Sequence, residues 1–435
     1  MLSIRLPILD LPVRDQHYSC HGCGNCCRDF TVQVRPEDLK KLSEQKWEQR
    51  LNQHVTTTFR GQAYLRQNPD GSCIFLLPNG KCRIHAEFGF SQKPIACQVF
   101  PFHFNPAPAR AHHGTSVQVG INFACQSVLE NKGADLRTHR AELSRMTEDL
   151  SELLAPVPLP RLTEKHHAVE SEIQSLESML DDWLTQDLPL NTIIQGFAWI
   201  VTQLSSAQLE NVREARFAEL LDVLRSALPD ELEHIQVAAP RPGQVKLLRQ
   251  AAFARTEDPK LARINRSKLA LKIDQLRRSR RFRVGRGLVP QVGIDWPTNV
   301  PFSAIDSVQS ASPGEDALLI HSLLIRYLRA SILSGRSWGA GYYGWPIIPG
   351  LAALVVNIPV ISWLARVHAA GEKRRSLTIH DVRKALGRVD RTAGRAAWLG
   401  STIEKIRIRY LTAENGLLNL AAAFPLLADA SQHNP

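Results

Sequence analysis

Beyond Cys125 the chain contains no cysteine: all eight lie in the first 125 of its 435 residues, and the 310 that follow carry none. This excludes a disulfide framework spread over the molecule, and the length excludes the short secreted scaffold in which an even cysteine count reads as one. The opening residues Met1 to Asp10 contain Arg5, Pro7 and an acid but no long apolar run. No secretory signal is read, and a cytoplasmic protein is expected. No internal repeat, low-complexity tract, phosphate loop, paired-carboxylate motif or Ser-His-Asp arrangement stands out. The adjacent pairs His112-His113 and His166-His167 point in different directions in regular structure and are not read as ligands. Asp181-Asp182 is read as solvated helix surface. Gly339 to Gly344 matches G-x-G-x-x-G but runs into Trp345-Pro346 instead of opening a helix, so a dinucleotide site lacks its required context.

What is present is a chain with a core. A hydrophobic fraction of 44% over this length supports two or three domains, and 22% charged residues exclude a tail-like disordered protein. The net charge of +11 is a sum of opposed blocks. Arg241 to Arg286 holds 15 basic and 3 acidic residues, Ala141 to Ile235 holds 18 acidic and 6 basic, and Arg366 to Arg409 holds 12 basic and 4 acidic. The near cancellation of the first two favours docking of the basic segment on the chain's own acidic one. Nucleic-acid binding through Arg277-Arg278-Ser279-Arg280-Arg281-Phe282-Arg283 ranks below that, with an acidic protein partner between. Ser337 to Ala365 is 29 residues without a charge, but Pro346, Pro349, Asn357 and Pro359 interrupt it. A buried helix behind a turn-rich loop is expected there, and no membrane span.

Periodicity divides the chain at 1–140 and 161–435, with a stiff Ala155–Pro160 linker between and a second seam near 236–243. The first part reads as broken structure. It has a strand at Thr31–Val34, a helix from Pro36 to about Gln53 with proline at its first position, and a hairpin from Cys73 to Cys82 turning at Pro78-Asn79 or Asn79-Gly80. The second reads as helices: Val169, Ile173, Leu176, Leu180 and Trp183 mark one apolar face. Further helices are expected near 190–204, 209–224, 260–281, 315–333, 351–370 and 395–427. The fold class is therefore α+β, mostly α: a small irregular cysteine-cluster domain followed by a helical domain.

The informative segment is Cys20-His21-Gly22-Cys23-Gly24-Asn25-Cys26-Cys27. Four thiols at C-x2-C-x2-C-C cannot converge from a regular helix or strand. They can converge from a loop in which Gly22 and Gly24 take positive φ. Soft thiolates on a tight loop suit tetrahedral zinc or an iron–sulfur cluster. The first three share the spacing of bacterial ferredoxin loops, but the fourth follows at once, so plain ferredoxin fits poorly. Downstream, Cys73, Cys82 and Cys97 are further ligand candidates. His85 is another, three residues after Cys82, while Cys125 reads equally as a buried inert thiol. Eight thiols exceed the four ligands of one site, leaving two sites, or one site plus redox-active thiols, both open.

The order Cys20–Cys27, Cys73-x8-Cys82, Ile84-His85 and Pro94-x2-Cys97-x2-Phe100-Pro101 resembles the cysteine-cluster family described as zinc- or iron-chelating, of which flagellin lysine N-methylase is a member. The resemblance covers roughly Cys20 to Phe102. It implies a zinc or iron–sulfur centre. For the methylase branch it implies methyl transfer from S-adenosylmethionine to lysines of a protein such as flagellin, for which the acidic 141–235 region would be the receiving surface. No catalytic residue in the helical extension can be matched, and the C-x3-C-x2-C spacing of radical enzymes is absent. The competing expectation is a non-catalytic metal-binding module with a helical docking domain.

Overall fold

The computed structural model describes residues 8–10, 15–59, 61–106, 116–150, 154, 157–256, 267–293 and 295–428. Within them an irregular N-terminal part with small sheets precedes a helical body. Helix accounts for 57% of the structure, as the α+β, mostly α expectation required. The first two residues of the expected linker, the start of the expected 260–281 helix, and His112-His113 lie outside the described residues.

Among the described residues eight short strands form three small sheets: β1 (Ile8–Asp10), β2 (His17–Tyr18), β3 (Gln33–Val34), β4 (Thr56–Phe59), β5 (Gln62–Leu65), β6 (Phe102–Pro106), β7 (Ser116–Ile121) and β8 (Ala134–Asp135). Their orders are β1-β7-β6, β2-β8 and β3-β5-β4. β1 runs parallel to β7; β6 pairs antiparallel with it, Phe102 opposite Ile121 and Phe104 opposite Val119. The single helix expected from Pro36 is two, Pro36–Glu44 and Trp47–Leu51, because Lys46 turns left-handed at φ 56°. That turn plugs Trp47, 1% exposed, into a small core edge-on to Phe75.

The helical body is built round Ile347–Gly371. This helix is apolar on all sides, the pattern of a helix covered all round. It is long and apolar enough to cross a membrane, and 94% of its most apolar window is buried here. The helices Leu190–Ser206, Pro242–Thr256, Ile379–Thr392, Thr402–Thr412 and Gly416–Ala423 cover it. Pro359 is accommodated inside it, so the prolines seen in the sequence do not break it. Its one amide, Asn357, is satisfied on both ends: it accepts from Arg255 and donates to Tyr327 Oη at 3.1 Å. Arg255 in turn meets Glu404 at 2.7 Å with both side chains 1% exposed, and Glu404 also binds Arg407.

Several sequence expectations need correction. The helix placed near 209–224 runs Ala215–His234, past Pro229, and the 395–427 helix is broken into Ala397–Gly400, Thr402–Thr412 and Gly416–Ala423. Pro242–Thr256 and Ile379–Thr392 were not anticipated. The basic helix, Lys268–Val284, does not rest on the acidic block as expected. It packs on Pro242–Thr256 and drives Phe282 between Phe253, Phe302 and Trp363. Acidic residues of the 141–235 block find other partners, Glu172 with Arg213 and Asp181 with Arg329, so Asp181 is an ion-pair member and not merely solvated.

One hydrophobic core joins Ile95, Phe102, Val117, Val119, Ile121 and Phe123 to the helices as far as Leu426. Polar contacts fix the same junction. Asp390, 1% exposed, accepts from Phe123 N at 2.6 Å and from Arg336 Nη2 at 2.9 Å. Arg326 donates to Gln16 Oε1 at 2.7 Å and to the carbonyls of Val128 and Leu129, and Asn105 Nδ2 to Ser334 O at 2.7 Å.

Candidate metal centre

The cysteine loop leaves β2 anchored: Ser19 N donates to Lys132 O at 3.1 Å and Ser127 Oγ to Ser19 O at 2.7 Å. Gly22 at φ 65° and Gly24 at φ 73° then wind the chain into the one-turn helix Asn25–Asp29, closed by Cys27 N on Gly24 O at 3.0 Å. This winding leaves Cys20 and Cys23 exposed and turns Cys26 and Cys27 half inward, their sulfurs 3.9 Å apart.

The loop lies on the turn that carries the next thiols. Gly80 N donates to Leu77 O and Leu77 N to Lys81 O, both at 2.9 Å, which puts Pro78-Asn79 at the turn centre and Gly80 in the left-handed position of a bulge. The expected hairpin is only partly formed. Leu76 N turns back to Cys73 O, so the Cys73 arm is not a strand; the pairing retained is the bridge Leu76–Cys82. A Cβ on Gly80 would lie 2.5 Å from Gly22 O, and one on Gly24 would lie 3.0 Å from Leu76 Cδ1 and 3.2 Å from Gly80 O. Glycine at both places is what lets the two thiol-bearing segments touch. Cys73 N completes the join by donating to Cys27 O at 2.6 Å.

Cys97 comes from the helix Ile95–Val99, held by buried Asp38, which accepts from Ile95 N at 3.0 Å and Arg35 N at 3.3 Å. Cys27, Cys73, Cys82 and Cys97 all pack on one small core with Val34, Leu42, Trp47, Ile74, Phe75 and Ile84. Cys125 caps the Gln126–Leu129 helix on the opposite flank of the loop, next to the body. His85 is exposed on Arg83–Phe88 with its ring edge-on to Phe90 at 5.7 Å, and burial together with the nearby Lys93 charge lowers its pKa.

The thiols feel one another through Cys26. Its own pKa stands well above the ordinary value, first through the hydrogen bond with Cys27, then through burial and the neighbouring Cys27 charge; Lys93 pulls the other way. Burial pushes Cys73, Cys97 and Cys125 up to about 12, and Cys26 adds to the rise in all three. Burial also raises Cys23, with Cys26 and Cys20 adding to it. Burial and the nearby Cys20, Cys125 and Cys26 raise Tyr18. Cys26 is thus within electrostatic reach of Cys23 and Cys125 and also of Cys73 and Cys97. Sequence reasoning missed Lys93 as the cation facing the group and Asp38 as its support. Lys93 stood next to the Pro94-x2-Cys97 motif, whereas nothing local marked Asp38.

Among the described residues no three His, Cys, Asp or Glu side chains stand together closely enough to hold an ion in this conformation. The donor chemistry fits a soft metal nonetheless. All eight cysteines are free thiols. The 3.9 Å between Cys26 and Cys27 matches the sulfur–sulfur edge of about 3.8 Å that a tetrahedral site with ~2.3 Å metal–sulfur bonds requires.

Residues 19–122 match the family model CxxCxxCC, a "Putative zinc- or iron-chelating domain". The matched span takes in Cys20, Cys23, Cys26, Cys27, Cys73, Cys82 and Cys97 together with His85, and stops short of Cys125. Among curated proteins, an uncharacterized protein of Methanocaldococcus jannaschii (MJ0939) is 29% identical over 87 residues. The match covers 20% of this chain and 29% of that protein, so the chain spans less than a third of the relative's length. No solved structure matches the chain.

Proposed function

We propose that the N-terminal module holds a thiolate-bound zinc ion or iron–sulfur centre organised around Cys26, with Cys20, Cys23 and Cys27 from the loop and Cys73, Cys82 and Cys97 as the other donors. The observation that carries this reading is the close join of the two thiol-bearing segments, Gly80 against Gly22 O and Cys73 N on Cys27 O at 2.6 Å. The metal would supply a tetrahedral or cluster anchor for thiolates that the apo fold keeps protonated, so loading releases protons. Lys93 offsets part of the negative charge gathered there. Cys125 borders the centre from the body side, and His85 stays outside it. Thiols need a reducing compartment to remain available, which favours the cytoplasm. Anaerobic purification with zinc, iron and acid-labile sulfide analysis tests the proposal; a metal-free, stably folded chain would sink it.

A second reading adds activity. Cys20 and Cys23 are exposed while Cys73 is buried, so a centre here has one face open to solvent, as catalytic metal sites require. The resemblance to flagellin lysine N-methylase then suggests methyl transfer from S-adenosylmethionine to a protein lysine. Calorimetry of the metal-loaded chain with S-adenosylmethionine separates the two: binding supports the methylase, and its absence leaves a metal centre that stabilises the module against the helical body.

A further inference from the structure

The Lys268–Val284 helix is anchored on one side only. Phe282 is fully buried among Phe253, Phe302 and Trp363, and Arg278 reaches back to Gln291 O at 2.6 Å. The opposite side carries Leu269, Ile273 and Leu276 at i, i+4 and i+7, exposed to 70%, 41% and 70%. Seven residues of helix make this an apolar ridge about 10 Å long. The row continues with exposed Arg280, and Val284 and Leu288 beyond it are half exposed. Exposed cations border the ridge, Lys272, Arg277, Arg280, Arg281, Arg283 and Arg286, with Asp274 the one acid in the helix.

We propose that this face is a peripheral docking surface for an anionic lipid bilayer. The ridge would sit at the boundary between headgroups and acyl chains and the flanking arginines on the phosphates. Exposed apolar side chains with cations among and beside them can enter the boundary below the headgroups, and the positive charge complements an anionic leaflet. The long arginine stems can cover apolar area while their heads stay in the polar layer. A second ridge supports the assignment. Thr402–Thr412 packs on the same Pro242–Thr256 helix, and presents Ile403, Ile406 and Tyr410 at i, i+3 and i+7, exposed to 72%, 63% and 44%, beside exposed Arg409. Tyrosine at the end of such a row is the side chain favoured at headgroup level.

The test uses the full, metal-loaded chain and co-sedimentation with vesicles of phosphatidylcholine alone or with about one third phosphatidylglycerol, at low and raised salt. Binding is expected only to the anionic vesicles and should weaken with salt. Leu269→Asp with Leu276→Asp is expected to lower partitioning at least tenfold. Charge reversal at Arg280, Arg281 and Arg283 should lower it by more than about fivefold per residue, the loss expected from removing each charge alone. Because these side chains are exposed, unchanged circular dichroism and metal content will show that the variants fold. No association of the wild-type chain with anionic vesicles overturns the proposal and leaves the face to an acidic protein partner. Loss on charge reversal without loss on the leucine substitutions also overturns it, since that is the behaviour of a surface for any polyanion, nucleic acid included.

Discussion

Replacing Gly80 with alanine separates what holds the cysteine module together from what holds its metal. The added Cβ would stand 2.5 Å from Gly22 O, where ordinary contact begins at 3.4 Å. The loop or the turn must therefore yield by about 0.9 Å, well beyond the ~0.2 Å within which metal–ligand distances are held. Alanine at φ 80° costs about 1–2 kcal/mol of left-handed strain, and the clash adds about 1–3 kcal/mol. Gly61 supplies the control: it sits at φ 76° in the β4–β5 turn, where a Cβ meets nothing within 4 Å. Gly61→Ala is therefore expected to cost about 1–2 kcal/mol in chemical denaturation and to leave metal affinity unchanged. Gly80→Ala should cost about 2–5 kcal/mol and weaken metal retention against a competing chelator by about 10–100-fold, the range for lost ligand orientation. Equal retention by the two variants would refute the reasoning, because the loop and the turn would then not have to touch for the centre to form.

Cys26→Ser is expected to abolish stoichiometric metal, whereas His85→Ala, on an exposed ring against Phe90, should leave the metal content of the purified protein unchanged. Asp390→Asn leaves Arg336 buried without its carboxylate and should destabilise the chain by about 3 kcal/mol or more in guanidinium melts. For the metal-free chain, the thiols of Cys73, Cys97 and Cys125 rise from 9.0 to about 12. Their contribution is complete below pH 9 and lost as pH climbs towards 12, so melts of the apo protein should weaken across that window. Burial lowers His103 from 6.5 to about 4, with Arg336 adding to the effect. Its neutral ring favours the fold fully above pH 6.5, and denaturation midpoints should fall as pH drops from there towards 4.

The thiol loop was legible because its evidence is local: four cysteines and two glycines within eight residues leave few alternatives to a wrapped loop. The helix Glu170–Leu184 was legible for the same reason, its apolar positions repeating at helical spacing. The missed helix Ile379–Thr392 carried readable signals, Thr378 and Asp381 as a capping box and Val382, Ala385, Leu386 and Val389 along one face, but its four Lys and Arg residues were read only as part of a basic block. The basic block was misjudged because net charge records nothing of direction. Only the structure reveals that Phe282 faces the core and Leu269, Ile273 and Leu276 face away from it. Asp38 was unreadable as part of the centre because tertiary packing alone brings it there, whereas Lys93 stood beside the Pro94-x2-Cys97 motif.

The junction at Asp390 has a consequence for the order in which the protein takes shape on the ribosome. Asp38 meets Ile95 after only 57 residues, so the small core under Cys27, Cys73, Cys82 and Cys97 can close while synthesis is still early. Phe123 waits for Asp390, made 267 residues later. At roughly 5–20 residues per second that interval is about 13–53 s, during which Phe123, just beyond the already paired strand β7, lacks this partner. Metal captured in that interval would be held by the early thiols, and translation of the C-terminal helices would seal the Cys125 side last.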